Sequence, residues 1–256
     1  MAAELAAPHA DGADLRRGLL GRLSPWRLLV GVSASVLVAA AVVMAVLWAA
    51  TSDRASTSYV VAGAMLAVEI DVGRGNVEIL GGGGNEVEVR RIERSLFGHD
   101  PDERRRLANG VLRIESQCVS LVLGSCAADY RVTVPESVPL TVTARRGDVR
   151  LTAYRGSAQV STLGGSISAD AFCGFVLQAT AHGGSVDVAA LCSPERLELR
   201  TDSGDVRATV PPGRYAIDAD TSAGDVALRG LERAENAPWK IQALSNSGDV
   251  TVQAGT

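Results

Sequence analysis

The sequence predicts an all-β domain, a parallel β-solenoid of about seven rungs, preceded by one transmembrane helix. Two observations carry this prediction: a glycine-centred phrase that recurs along the chain, and a long apolar run near the N-terminus. The phrase is a small or polar residue, a glycine, a short polar residue and then Val or Ile. Most copies follow one another at about 18 to 24 residues, a spacing typical of solenoid repeats. The seven central glycines are Gly75, Gly147, Gly165, Gly184, Gly204, Gly224 and Gly248.

Apolar residues keep a fixed register around each glycine. Positions three, five and seven before it, and two and four after it, are mostly aliphatic or small, and the positions between them are mostly polar. This period of two indicates strands with one buried face. The phase breaks at the glycine, so each repeat should be a strand, a tight turn and a second strand. A β-sandwich of short strands is the alternative, but the constant register favours stacked rungs.

The N-terminal region predicts membrane attachment. Residues 28–50 contain no charged residue, and about 20 apolar residues span a bilayer. Four arginines precede this run and only Arg54 follows it closely, so the positive-inside rule places the N-terminus in the cytoplasm. We therefore assign a cytoplasmic tail to 1–26, a transmembrane helix to 27–50, a tether to 51–64 and an exported β-solenoid domain to 65–254. A cleaved signal peptide is the competing interpretation.

The four cysteines suggest two disulfides in an oxidising exterior. Cys173 and Cys192 each follow a rung glycine by eight residues, so stacked rungs would bring them within bonding distance. Cys118 and Cys126 could close a hairpin around residues 119–125. Free buried thiols are the alternative for all four.

Few residues suggest chemistry. No zinc pattern, nucleophile elbow or phosphate-binding loop is present, and no cofactor is expected. Asp205, Asp225 and Asp249 recur in three repeats and are weak calcium candidates, but turn formation explains Asp, Asn and Ser at this position equally well. The arginines at 104–106 are interleaved with acids, which favours a solvated helix beginning at Pro101 over a lipid-binding patch. The net charge of −4 is spread along the chain and suggests no nucleic-acid partner.

The repeats resemble the DUF4097 family of bacterial β-strand-repeat domains, also labelled adhesin or toastrack domains. The resemblance rests on the segment from Asp129 to Pro135, on Leu140–Val142 and Gly147–Val149, and on the later Gly-Asp-Val units. It covers about residues 65–254. It implies a right-handed β-solenoid, commonly tethered to a membrane in proteins linked to envelope-stress sensing, and it implies no catalytic residues. The chain has no membrane segment like those of the stress-signalling relatives.

These observations favour a membrane-tethered, extracytoplasmic and non-catalytic module that binds, scaffolds or senses at the cell envelope. Its partner would be an envelope polymer or a membrane protein. An exported β-helix enzyme acting on envelope polysaccharide is the first alternative, although outward positions change type from rung to rung. An adhesin or surface-binding protein is the second.

Overall fold

Alternating strands of the repeats build two sheets that face each other across an aliphatic interior. The computed structural model describes residues 25–82, 84–96, 101–118 and 126–255. Within them lie one helix, α1 (Pro25–Thr51), and twenty strands. The strands are β1 (Ser52–Ala62), β2 (Ala67–Val72), β3 (Val77–Gly82), β4 (Glu86–Leu96), β5 (Asp102–Ala108), β6 (Val111–Gln117), β7 (Cys126–Pro135), β8 (Leu140–Arg146), β9 (Val149–Thr152), β10 (Ala158–Gly164), β11 (Ile167–Phe172), β12 (Val176–Ala181), β13 (Val186–Ala190), β14 (Arg196–Thr201), β15 (Val206–Val210), β16 (Arg214–Thr221), β17 (Val226–Arg229), β18 (Glu232–Arg233), β19 (Lys240–Ser245) and β20 (Val250–Ala254).

Each repeat contributes one strand to each sheet, as the sequence predicts. The first sheet has the order β1-β4-β7-β3-β9-β11-β13-β15-β20-β17, and the second has β18-β16-β19-β14-β12-β10-β8-β2-β6-β5. Neighbouring repeats pair in parallel and in register, for example Leu177 with Leu197 and Val186 with Val206. A rung is therefore one strand of the second sheet, a turn, and the next strand in the first sheet. The parallel stack is confirmed; the right-handed sense of the coil stays a prediction.

The predicted inward positions form the core. Val160, Leu199 and Val206 are each 1% exposed, and the intervening residues face solvent. Thr162, Thr201 and Ser245 are buried although their side chains are polar. Stacking thus gives every interior strand backbone partners on both sides and removes its apolar face from water.

The order of the rungs differs from the order of the repeats at both ends. The last repeat, β19/β20, lies between β14/β15 and β16/β17, so the Gly248 turn stacks between those of Gly204 and Gly224. A further rung, β6/β7, stacks outside β2/β3 and carries no glycine phrase. The stack therefore has eight rungs in the described residues, one more than predicted.

Two predictions near the N-terminal end of the domain are wrong. Residues 51–64 are not mainly a tether, because β1 pairs along its whole length with β4 in antiparallel register. The helix expected from Pro101 is instead strand β5, antiparallel to β6. Its arginines at 104–106 are spaced along a strand. Together β1, β4 and β5 cover the β6/β7 end of the stack.

Contacts divide the chain into two units, residues 1–50 and 51–256. In the first unit, α1 occupies the stretch predicted as a membrane helix, and the tail predicted at 1–26 lies almost entirely outside the described residues. Among the residues placed well enough to describe fully, no helix is both long and apolar enough to cross a membrane.

Candidate functional site

The turns are joined from rung to rung by side-chain oxygens. In every rung but the last, the residue at the position after the turn glycine accepts a hydrogen bond from the backbone amide of the equivalent residue in the next rung. Asp205 Oδ1 accepts from the Asp249 amide at 2.9 Å, and Asp249 Oδ1 accepts from the Asp225 amide at 2.9 Å. The same bonds run through Asp129, Asn76, Asp148, Ser166 and Ser185. We call this series the turn ladder.

The turn ladder explains why Asp, Asn and Ser are interchangeable at this position, since each supplies an acceptor oxygen. The role is the side-chain-to-backbone one that the sequence favours, but its partner lies in the neighbouring rung rather than in the same turn. For the calcium candidates, Asp205 and Asp249 already accept amide hydrogens, and Asp225 ends the ladder. Within the described residues no group of three or more His, Cys, Asp or Glu side chains could hold a metal.

A second series of bonds explains the buried hydroxyls. Thr201 Oγ1 donates to the Gly184 carbonyl at 2.7 Å, and Ser245 Oγ donates to the Gly204 carbonyl at 2.9 Å. These hydroxyls lie three residues before a turn glycine and satisfy a carbonyl that the tight turn leaves unpaired. The sequence shows them only as polar interruptions of an apolar pattern.

Both predicted disulfides are present. Cys173 joins Cys192 across adjacent rungs, with 4.8 Å between their Cα atoms, and Cys118 joins Cys126 at 5.7 Å. The second bond does not close a hairpin, because β6 and β7 belong to different sheets of one rung. It joins the residue after β6 to the first residue of β7, in the rung that lacks the glycine phrase.

The outer face of the second sheet carries a continuous row of polar side chains, which we call the polar strip. It consists of Gln159, Ser161, Gln178, Thr180, Glu198, Arg200 and Gln242, which line a depression of about 280 Å³. Gln178 Nε2 donates to Glu198 at 2.9 Å, and Gln242 Nε2 donates to Asp218 at 3.0 Å. The side chains of Gln159, Ser161, Thr180 and Arg200 make no hydrogen bond to another described residue. The strip therefore offers free donors and acceptors on successive rungs.

At its C-terminal end the polar strip runs into a larger groove of about 360 Å³. Glu198 and Gln242 line both depressions, so the two are continuous. Lys240 and Arg233 contribute cations that pair with no described carboxylate, and Glu235 contributes an unpaired acid. Trp239, 36% exposed, lies next to Lys240 and packs against Tyr215 with 5.8 Å between ring centroids. The sequence shows Gln159, Gln178 and Glu198 as outward positions but gives no sign of this groove.

The outer face of the first sheet is also polar, but its charges neutralise each other. Arg131 lies 2.7 Å from Glu78, and Arg207 lies 3.3 Å from Asp187 on the neighbouring rung. A wide depression of about 610 Å³ borders this face near β4 and is lined in part by the turn ladder. Since these groups already have protein partners, the first sheet has less unused hydrogen-bonding capacity than the polar strip.

The covered end of the stack contains a half-buried polar network around Glu103. Its carboxylate accepts from Tyr59 at 2.9 Å and from Tyr130 at 2.8 Å, and it lies 3.4 Å from Arg91 Nε. Burial, reinforced by Glu103, raises the pKa of Tyr59 above its usual range, and burial is also the main cause of the raised pKa of Tyr130. Arg105 stacks over the Tyr59 ring at 4.0 Å from its centroid. These contacts fasten β1 and β5 to the stack, which is a structural role.

One histidine, His182, lies in hydrogen-bonding contact with a carboxylate, an arrangement found in catalytic sites. His182 Nδ1 lies 2.6 Å from Asp202, and Asn246 donates to the same carboxylate at 3.1 Å. In the part of the chain that the structure describes, no Ser, Thr or Cys side chain is hydrogen-bonded to this imidazole. The pair links adjacent rungs at the turn, as the turn ladder does, and lacks a nucleophile.

Fold and surface together define a class of protein: a two-sheet coil of β-strand repeats with an extended polar face. The family model described as Toastrack DUF4097 matches residues 120–256, more than half of the chain, and the chain belongs to this family. The strands before residue 120 continue the same two sheets.

One solved structure shares the architecture at low sequence identity, and a second is reported with it for comparison. A candidate cell adhesion protein from Clostridium sporogenes is 11% identical with a TM-score of 0.50, over 79% of this chain and 100% of that one. A candidate adhesin from Bacteroides fragilis is 14% identical with a TM-score of 0.41, over 79% of this chain and 97% of that one. No curated protein matches the chain.

Proposed function

We propose that this protein is a non-catalytic binding module of the cell envelope that holds a hydroxyl-rich polymer, such as an envelope glycan, on its polar strip. The observation that carries the proposal is the continuity of the strip with the groove beside Lys240. Together they present amide, hydroxyl, carboxylate and guanidinium groups with unused hydrogen-bonding capacity. These groups can donate to and accept from sugar hydroxyls.

The strand repeat suits a polymer. Equivalent side chains on adjacent rungs are about 4.8 Å apart, so a ligand with a short chemical repeat can form the same contacts several times. Each contact is weak, worth about 0.5–1.5 kcal/mol, but several along one chain add up. Trp239, the residue before Lys240, is 36% exposed and provides an apolar face for the ring of a sugar.

The hydrogen bonds of the carboxylates in the strip and the groove support a non-catalytic role. Glu198 and Asp218 each accept a hydrogen bond from a glutamine of a neighbouring strand. Both line the groove, on either side of Gln242, but each is held by a glutamine amide, whereas hydrolysis of a glycosidic bond needs one carboxylic acid and one carboxylate free to act on the bond between them.

We further propose that α1 anchors the domain in the cell membrane, with the N-terminus in the cytoplasm and the β-domain outside. The support is the charge-free run at 28–50, the arginines that precede it, and the two disulfides, which form in oxidising compartments. Large apolar side chains of α1 between Val36 and Val46 are 56–71% exposed, which suits contact with lipid.

The test is retention of soluble envelope glycans by the immobilised protein, with release of reducing ends followed in parallel. We expect at least one glycan to be retained without product formation. Gln178→Ala should weaken retention about 2- to 10-fold, the equivalent of one hydrogen bond. Gln253→Ala is the matched control, because Gln253 lies on the first sheet and donates to a neighbouring strand in the same way.

Equal retention by the two variants would refute the polar strip as the binding surface. Steady release of reducing ends, lost on changing Glu198 or Asp218 to the amide, would replace the binding module with an enzyme.

A further inference from the structure

The two ends of the stack differ. At the end formed by β16/β17, two residues in core register are open to solvent: Val226 is 44% exposed and Leu228 is 41% exposed. Their partners one rung inward, Val250 and Val252, are both fully buried. The last rung of the first sheet therefore leaves the aliphatic interior uncovered.

The opposite end is closed. There β1 and β4 extend the first sheet in antiparallel register, and β5 extends the second. The Glu103 network fixes these strands in place. The outer edges of β1 and β5 are unpaired within the described residues, but the core residues Leu112, Ile114 and Val132 at this end are fully buried. Burial of apolar surface therefore favours contact between the β17 ends of two copies.

The free edge of β17 can pair with the free edge of β17 in a second copy of the chain. Within the described residues, β17 pairs with β20 on one side only. The Asp225 carbonyl accepts a hydrogen bond from the Val250 amide and therefore points towards β20. Because the direction of the backbone N–H and C=O groups alternates from residue to residue, those of Val226 and Leu228 point to the open side. Antiparallel pairing of two β17 strands centred on Ala227 then places Val226 of one copy opposite Leu228 of the other, as a hydrogen-bonded pair.

The charges along β17 complement this register. The strand and its preceding residue read Asp225-Val226-Ala227-Leu228-Arg229. With Ala227 at the two-fold axis, Asp225 of each copy faces Arg229 of the other. Both side chains are exposed, and neither makes an ion pair to another described residue. Two symmetric ion pairs thus flank two symmetric apolar contacts.

We propose that the open end is a docking surface for a second copy of this chain, which pairs β17 with β17 in an isologous, antiparallel contact. The contact is confined to the first sheet. On the second sheet, β18 already pairs with the start of β16, and Asp218 and Asp220 on its edge would oppose like charges. Because the core at the other end is already covered, the contact favours two copies, each presenting its own polar strip, so that a polymer could be held at two points.

A disulfide trap tests the pairing even where association is weak. In this register the two Ala227 residues form a non-hydrogen-bonded pair with Cα atoms about 4.5 Å apart, within the range that a disulfide spans. All four native cysteines are already bonded, so Ala227→Cys introduces the only free thiol. Thr251→Cys is the matched control: it lies on the same face one rung inward, where two copies would be about 14 Å apart.

We expect mild oxidation of the purified full-length chain in detergent to convert the Ala227→Cys variant to a covalent dimer and to leave the Thr251→Cys variant monomeric. Adding Arg229→Asp should slow trapping at least about threefold, and adding Asp225→Arg to that variant should restore it. Trapping at both positions, trapping at neither while both thiols react with a maleimide, or no rescue by the double charge exchange would each overturn the proposal.

Discussion

Replacing Gly204 by alanine tests the close stacking of the turns. Gly204 has a φ of +142°, a region open to glycine but strained for other residues, at about 1–3 kcal/mol. A Cβ atom here would lie 2.5 Å from the Gly184 carbonyl oxygen, 0.9 Å inside the 3.4 Å at which ordinary contact begins. The rungs must separate to relieve it, which weakens one or two ladder bonds between them, among them the 2.8 Å bond from the Gly184 amide to the Ser203 carbonyl.

The expected loss is about 2–6 kcal/mol, a large part of the roughly 5–15 kcal/mol that stabilises a domain. Gly183→Ala is the control, since its Cβ would lie 3.5 Å from the nearest atom, the Leu163 carbonyl oxygen, in ordinary contact. It should be neutral or slightly stabilising. Denaturant unfolding, followed by the fluorescence of Trp239, measures both variants. Equal unfolding midpoints would refute the argument that stacking of the turns requires glycine.

Three further predictions concern stability. Val206→Asp should unfold the β-domain, because it buries an unpaired carboxylate at a cost of several kcal/mol. Arg207→Ala removes one exposed ion pair and should cost no more than about 1 kcal/mol. Indistinguishable thermal melts of the two variants would contradict the predicted register. Asp205→Ala should cost about 1–2 kcal/mol because the Asp249 amide loses its acceptor, whereas Asp225→Ala, at the end of the turn ladder, should stay within about 0.5 kcal/mol in the same melts. Burial raises the pKa of Tyr154, so the unfolded chain loses the phenol proton at a lower pH than the folded chain does, and stability should fall as the pH rises above about 10. In denaturant titrations, Tyr154→Phe should make this decline of stability with pH shallower. A decline as steep as that of the unmodified protein would refute the prediction.

The interior rungs could be predicted because their information is local. Alternation around Gly165, Gly184 and Gly204 specifies which face is buried, and the glycine specifies the turn, so strand bounds and core residues follow from sequence alone. The cysteine pair Cys173 and Cys192 follows from the same register, since equivalent positions on adjacent rungs are neighbours.

The ends of the stack could not be predicted, because the order of rungs depends on long-range pairing. The Gly224 and Gly248 repeats present nearly identical turns and edges, so either could stack on the Gly204 rung. The rung of β6/β7 has Ala128 where the others have the turn glycine, which hides it from a search for the phrase. Strand β1 is rich in Ser and Thr and reads as a linker until its partner β4 is known.

The proposed binding surface could be predicted from the sequence only in part, for a related reason. Gln178 and Glu198 are outward positions in any register, and the sequence gives them. The groove, however, needs Arg233 of β18 beside Lys240 of β19, and that proximity follows from the inserted last rung.

We propose that the polar strip binds an envelope polymer and that the outer face of the first sheet does not. The most direct measurement is the dissociation constant of a retained glycan for the unmodified protein, for Gln178→Ala combined with Gln242→Ala, and for the control Gln253→Ala. The account predicts that the double variant binds about 5- to 100-fold more weakly, as the loss of two hydrogen bonds requires, while the control binds as the unmodified protein does. An unchanged dissociation constant for the double variant, or an equal loss in the control, would contradict it.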